Sequence, residues 1–279
     1  MLQSHQSPLH IGAVTLIARD APRLADYYQQ IIGLDVVDRH DGRISLGSGG
    51  EAYLHLNHSP KAAEESPRSA GLFHTAFLLP SRADLGRWFA GVHGRGAEFS
   101  GASDHGVSEA FYLDDPEGNG IEVYADRPRD EWPRRDGGVN MTTERMDVEG
   151  VISAGTAAEA HRGFPPQARI GHVHLRVGDI NAVRSFYIDQ LGLQEMDRRP
   201  GGVFFSAGGY HHHIATNQWQ SAGAPPRPSA TTGLAEVEIR VSDKAVMASF
   251  QARSKADADG LIRLKDPAGL AFAISSPSP

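Results

Sequence analysis

The chain has 279 residues, a net charge of −7, 22% charged and 40% hydrophobic residues: the profile of an ordinary globular protein long enough for two domains. No basic stripe is present, so nucleic acid is not an expected partner, and the lack of cysteine excludes disulfides, thiolate metal sites and a cysteine nucleophile while fitting a reducing cytosol. No apolar run approaches the ~18 residues of a membrane span, and MLQSHQSPLH lacks the basic and apolar regions of a signal peptide, so the expectation is a cytoplasmic protein that engages no membrane.

In chain order, residues 8–58 open with IGAVTLIARD (11–20), an alternating strand that ends on Asp20. An amphipathic helix, Gly33-Leu34 and further strands follow. After the linker 59–69, a second unit spans 71–125 and begins with LFHTAFLL (72–79). Residues 126–167 are charged and rich in Pro and Gly, and read as a long crossing linker with a short helix around Met141–Ile152.

At an offset of 159 the chain then repeats itself. IGHVHLRVGD (170–179) matches the first strand, FYIDQLGLQEMDR (186–198) matches YYQQIIGLDVVDR (27–39), and Gly208-Gly209 matches Gly49-Gly50. This third unit covers 168–217. A linker at 220–232 leads to a fourth unit at 232–275, where LAEVEIRV (234–241) resembles 72–79 and DPAG (266–269) resembles DPEG (115–118). The fourth unit is shortened, since its strand-to-turn interval is 32 residues against 43 in the second. The tail SSPSP is expected to fray. The fold class is therefore α+β: four βαβββ modules forming two domains, each a cupped mixed β-sheet with helices outside. The N-terminal half is 1–125 and the C-terminal half 168–279.

The segment SDHGVSEAFYLDDPEGNGIEVY (103–124) carries the chemistry. It sets His105, Tyr112, a tight turn over Asp115–Gly120 and Glu122 at fixed offsets. Glu122 stands between Ile121 and Val123, where a buried carboxylate is costly unless a partner offsets its desolvation, and a metal ion is the usual one. Read singly, each of these residues also has a structural explanation: Glu122 as an edge carboxylate facing water, His74 as a core histidine, Tyr112 as core packing.

Four such modules with this segment resemble the vicinal oxygen chelate superfamily, specifically the two-domain extradiol catechol 2,3-dioxygenases, over nearly the whole chain. The extradiol pattern is matched by His105, Phe111, Tyr112, Asp115, Pro116, Gly118 and Glu122, with Ser103 a departure two residues before the His. The resemblance implies an Fe(II) ion, with Mn(II) as the alternative, held by two His and one Glu. His74 and Glu122 come from module two. Module one has Ala13 at the position of the remaining ligand, whereas module three has His172 one repeat later. Modules two and three are thus expected to pair around the metal, leaving one with four. His174, on the same strand face as His172, is the rival ligand. A pairing of modules three and four would instead bring Glu236 and Glu238 to His172 and His212.

The same resemblance implies a catalytic His followed by any one residue, an aliphatic residue and Ala, found in YHHHIATN (210–217) as His212, His213, Ile214 and Ala215. His212 fits best and His213 is the runner-up; the run is read as lying on a strand, with His212 on one face and its neighbours on the other. His105 and Tyr112 are implied to donate hydrogen bonds to substrate oxygens. The partners implied are a catechol-type aromatic diol and O2, with ring opening beside the hydroxyls, and Phe204, Trp219 and Trp132 hint at an aromatic lining. A sheet edge offers a route to a homo-oligomer. The alternatives are a glyoxalase-like isomerase or lyase, usually with four protein ligands, and a metal-free small-molecule-binding protein of the same fold.

Overall fold

The computed structural model describes residues 2–156 and 163–276; residues 277–279 of the tail and 157–162 of the crossing segment lie outside the described residues. The first unit comprises β1 (Leu9–Ala18), α1 (Ala21–Tyr27), β2 (Asp35–His40), β3 (Arg43–Ser48) and β4 (Glu51–His58). The second comprises β5 (Gly71–Leu79), α2 (Arg82–His93), β6 (Gly101–Asp104), β7 (Ser108–Asp114) and β8 (Gly120–Asp126). The crossing segment holds β9 (Arg134–Arg135), β10 (Gly138–Val139), β11 (Glu144–Arg145) and α3 (Val148–Thr156). The third unit is β12 (Arg169–Arg176), α4 (Ile180–Ser185), β13 (Gln194–Arg199), β14 (Gly202–Ser206) and β15 (Ile214–Asn217). The fourth is β16 (Gly233–Val241), α5 (Lys244–Arg253), β17 (Ile262–Lys265) and β18 (Ala271–Ser275).

Local chemistry explains why each strand hands over to a helix. The Asp at each repeated strand exit is an N-cap: Asp20 accepts from the Arg23 N–H and Asp179 from the Asn181 N–H, while Ser81 and Asp243 do the same for α2 and α5. The paired Gly-Gly turns, Gly49-Gly50 and Gly208-Gly209, all take positive φ, which glycine adopts without steric cost.

Apart from β9 and β10, which pair with each other as a small antiparallel ribbon, the strands form two mixed sheets, and the protein is α+β. One has seven strands in the order β17-β18-β16-β1-β4-β3-β2, joined by the antiparallel pair β1/β16. The other has nine, β11-β6-β7-β8-β5-β12-β15-β14-β13, joined by β5/β12. Both junctions carry register shifts, which bend the central strands. One continuous cluster of buried apolar side chains draws on strands and helices of both sheets. Two buried hydrogen bonds tie the sheets together. The Tyr28 hydroxyl donates to Asp115 Oδ2 (3.0 Å), and the Tyr187 hydroxyl to Asp266 Oδ2 (2.8 Å).

Two expectations need correction. The fourth unit keeps only two strands after its helix, so it is βαββ, the missing strand accounting for its shorter interval. The helix of the crossing segment starts at Val148, not Met141, because Asp147 Oδ1 accepts from the Gly150 N–H at its start and Glu144–Arg145 is already committed to the edge of β6. That helix packs on α2 backbone to backbone: a Cβ on Gly86 would fall 2.0 Å from the Val151 carbonyl oxygen.

Candidate metal centre

At the middle of the nine-stranded sheet β5 lies between antiparallel β12 and parallel β8. Ala76 of β5 is opposite His172 on one side and Glu122 on the other, and His74 is opposite His174. Cross-strand partners and residues two apart share a face, so all four polar side chains rise from one side of the sheet. The small side chain of Ala76, fully buried, leaves room between His172 and Glu122.

His74 Nε2 lies 2.9 Å, and His172 Nε2 3.2 Å, from the same oxygen, Glu122 Oε2. One ligand-capable atom from each of the three buried residues lies within 4.8 Å of the other two, and among the described residues no fourth His, Asp or Glu joins this group. Burial would push the Glu122 carboxyl up, but the His172 and His74 imidazoles outweigh it and hold the carboxylate well below its usual range. His74 Nε2 is buried without a hydrogen-bond partner although it faces that carboxylate. A buried carboxylate oxygen with two imidazole nitrogens converging on it is a donor set that fits a divalent metal, and the three residues suit that group.

The ligand cluster opens onto a cavity of about 490 Å³ lined by Phe73, His105, Tyr112, Met141, His174, Phe204, His212 and Trp219 among others. His174 is not among the three converging atoms: its Nε2 accepts from the Asn217 amide (3.0 Å), and its ring packs edge-on to Phe73, Trp219 and His74. The His172 and His212 rings lie 4.0 Å apart, and burial, with the neighbouring histidines, holds His212 far below the usual imidazole range and therefore neutral.

The histidine run is not on a strand. After the Gly208-Gly209 turn, residues 210–213 stay irregular and β15 begins at Ile214. The three rings point in three directions. His212 lines the cavity. His211 reaches Asp126 Oδ1 (2.9 Å), and His213 is taken up by the Ser206 hydroxyl and the Ser4 carbonyl (3.0 Å). The runner-up base thus faces away from the cavity.

His105 and Tyr112 both line the cavity but are bonded to each other, Nε2 to hydroxyl, at 2.7 Å. His105 Nδ1 donates to the Thr142 carbonyl (2.7 Å), so a neutral ring accepts the Tyr112 proton at Nε2 and has no N–H left for a ligand. Trp132 does not line the cavity. The chain folds back after β8 and buries this indole among Val107, Val139, Met196 and Tyr210, with its N–H on the Arg127 carbonyl. Glu236 and Glu238 lie on β16 in the other sheet, paired with Arg263 and with Arg240 and the Ser275 hydroxyl.

Sequence reasoning missed Asp126, His211 and the crossing segment's part in the cavity wall through Met141 and Thr143. For Asp126 a signal existed: Glu122, Tyr124 and Asp126 alternate along one face of β8. The contribution of the crossing segment is tertiary and has no local pattern.

Residues 10–123 and 169–273 match the model of the Glyoxalase/Bleomycin resistance protein/Dioxygenase superfamily, and the chain belongs to that family. Within it the chain is an enzyme of the extradiol dioxygenase type. It is 42% identical to a protein of Bacillus subtilis (strain 168) named catechol-2,3-dioxygenase, over 81% of this chain and 80% of that one. It is 29% identical to biphenyl-2,3-diol 1,2-dioxygenase 3 of Rhodococcus globerulus, over 38% of this chain and 57% of that one. In fold it is similar to the crystal structure of glyoxalase I from Zea mays, with a TM-score of 0.57 at 15% identity over 97% of this chain and 93% of that one. No helix among the described residues is long and apolar enough to cross a membrane.

Proposed function

We propose that the chain is a ring-cleaving extradiol dioxygenase that uses iron(II), held by His74, His172 and Glu122, and O2 on a catechol-type diol. Manganese(II) suits the same ligands. The observation that carries this reading is the convergence of the three-residue ligand set, His212 and Tyr112 on one aromatic-walled cavity. The names of the Bacillus and Rhodococcus relatives support the substrate class.

When bound, the metal supplies Lewis acidity toward the diol oxygens and a meeting point for dioxygen. The protein's own groups do the rest. Phe73, His174, Phe204 and Trp219 offer ring faces and edges to a flat aromatic substrate. His212, neutral and beside the ligand cluster, takes the proton of the second hydroxyl and later gives it back. Tyr112, its hydroxyl fixed by His105 and its proton held firmly by burial and the nearby Glu122, orients the bound diol.

The test is anaerobic loading with Fe(II), then catechol, then air. Iron-dependent formation of a yellow ring-opened product is expected. Iron uptake with no cleavage of catechol or substituted diols would contradict the assigned reaction, and no metal uptake would contradict the ligand set.

A further inference from the structure

Behind His212 lies a buried hydrogen-bonded chain that the reaction as described does not use. His212 Nδ1 is 2.8 Å from His211 Nδ1, and His211 Nε2 is 2.9 Å from Asp126 Oδ1. The same oxygen accepts from the Tyr210 hydroxyl at 3.1 Å, and that hydroxyl is 2.8 Å from Tyr124's. His211 and Tyr210 are fully buried, and the Trp132 indole closes over His211 at 5.1 Å between ring centres. Gly171, next to His172, makes room for the Tyr124 end of the chain, since a Cβ there would sit 1.9 Å from the Tyr124 hydroxyl.

The donors along this chain are set by what each group can do. A carboxylate only accepts, so His211 must carry its proton on Nε2. In its neutral form His211 then has no second N–H, so its Nδ1 is an acceptor and the N–H between the two rings belongs to His212 Nδ1. His212 then has no proton left for its other nitrogen. With Nδ1 turned to His211, Nε2 is the nitrogen left for the cavity.

We propose that Asp126 and His211 are positioning residues that fix the tautomer of His212, so that it presents an unprotonated Nε2 to the substrate. An isolated imidazole divides between its two tautomers; here the carboxylate selects one through an intervening ring. In this dry setting the hydrogen bonds strengthen one another and keep His212 in place against the His172 ring. The proposal rests on His212 acting as the base.

Two readouts decide it. Nitrogen NMR of the full chain, labelled at histidine nitrogens and loaded with Zn(II) as a diamagnetic probe, reads the tautomer in the unmutated protein, with the His212 signals assigned by their loss in His212→Phe. Protonation at His212 Nδ1 is expected; protonation at Nε2 overturns the proposal whatever the protein's activity. The second readout is Asp126→Asn, whose amide can turn its NH2 toward His211 and reverse the order of donors. A kcat loss of about 10–100-fold is expected, with KM and iron content kept and no further loss in a His212→Phe background. Equal losses in both backgrounds would reduce Asp126 to a structural role and overturn the proposal. If His212→Phe has no effect on turnover while NMR shows the Nδ1 tautomer, the assignment of His212 as base fails and the tautomer stands.

Discussion

The two sheets are built on one plan, yet among the described residues only one of them gathers a cluster of candidate metal ligands. In the seven-stranded sheet the counterpart of His172 is Ala13, that of His74 is Glu236, and that of Glu122 is Ala273. Glu238 stands where the other sheet has Ala76. Charge is present on both sheets, but it is resolved differently. Around the seven-stranded sheet Arg240 joins Glu51 and Glu238, Arg169 reaches Glu51 from β12 of the other sheet, Arg263 joins Glu236, and the Ser275 hydroxyl donates to Glu238. Every carboxylate in that network has a guanidinium. In the nine-stranded sheet Glu122 faces the imidazoles of His74 and His172 instead of a guanidinium, and the small Ala76 beside it leaves space. The contrast lies in three features of the nine-stranded sheet: among the described residues no guanidinium is paired with Glu122, the side chain beside it is small, and the three candidate ligands stand on three adjacent central strands.

The comparison breaks most sharply at the ligands. Glu122→Ala or His74→Ala should abolish iron retention and ring cleavage, whereas Glu236→Ala should leave both intact, as metal analysis and product formation would show. Next in size is His212→Phe, expected to keep iron while turnover falls by roughly 10²–10⁴-fold, the usual worth of a general acid–base group. An unchanged rate would remove His212 from the chemistry.

A smaller effect separates the two latches between sheets. Burial raises Asp115 to about 6 despite the hydrogen bonds it accepts, and the Tyr28 hydroxyl is one of its four donors and the one from the other sheet's module. Tyr28→Phe and Tyr187→Phe should each cost about 1–3 kcal/mol in denaturant unfolding, since each leaves a buried carboxylate short of a donor. Only Tyr28→Phe should also weaken turnover, because Asp115 anchors the turn that leads into Glu122.

The smallest expected effect concerns acid. His55 of the seven-stranded sheet is lowered by burial from 6.5 to about 4. Between those values the unfolded chain binds a proton that the folded one does not, so the stability tied to this group is full above pH 6.5 and is lost as pH falls toward 4. His55→Gln should therefore flatten the acid limb of stability over that interval; an unchanged limb would contradict the assignment.

Much of this was readable along the chain. The strand-exit Asp residues act locally as helix caps, and the Gly-Gly turns need only their own backbone freedom, so both show up as sequence pattern. The interval between His105 and Glu122 is likewise local, because one hairpin and one turn span it. The misread features depend on distant partners. The irregular backbone at His211–His213 follows from commitments to Asp126, Ser206 and Ser4. Trp132, an aromatic in a charged segment, could have lined a cavity as well as sealed one. The mutual bond of His105 and Tyr112 depends on the Thr142 carbonyl, delivered by a segment that reads as a spacer.

On the proposed function this duplicated chain holds one metal, in the nine-stranded sheet alone. Anaerobic titration of the full chain with Fe(II), followed by metal analysis after removal of free ion, tests it directly. One iron per chain in the unmutated protein and none in Glu122→Ala is the predicted result. Two irons per chain, or one that survives Glu122→Ala, would contradict it.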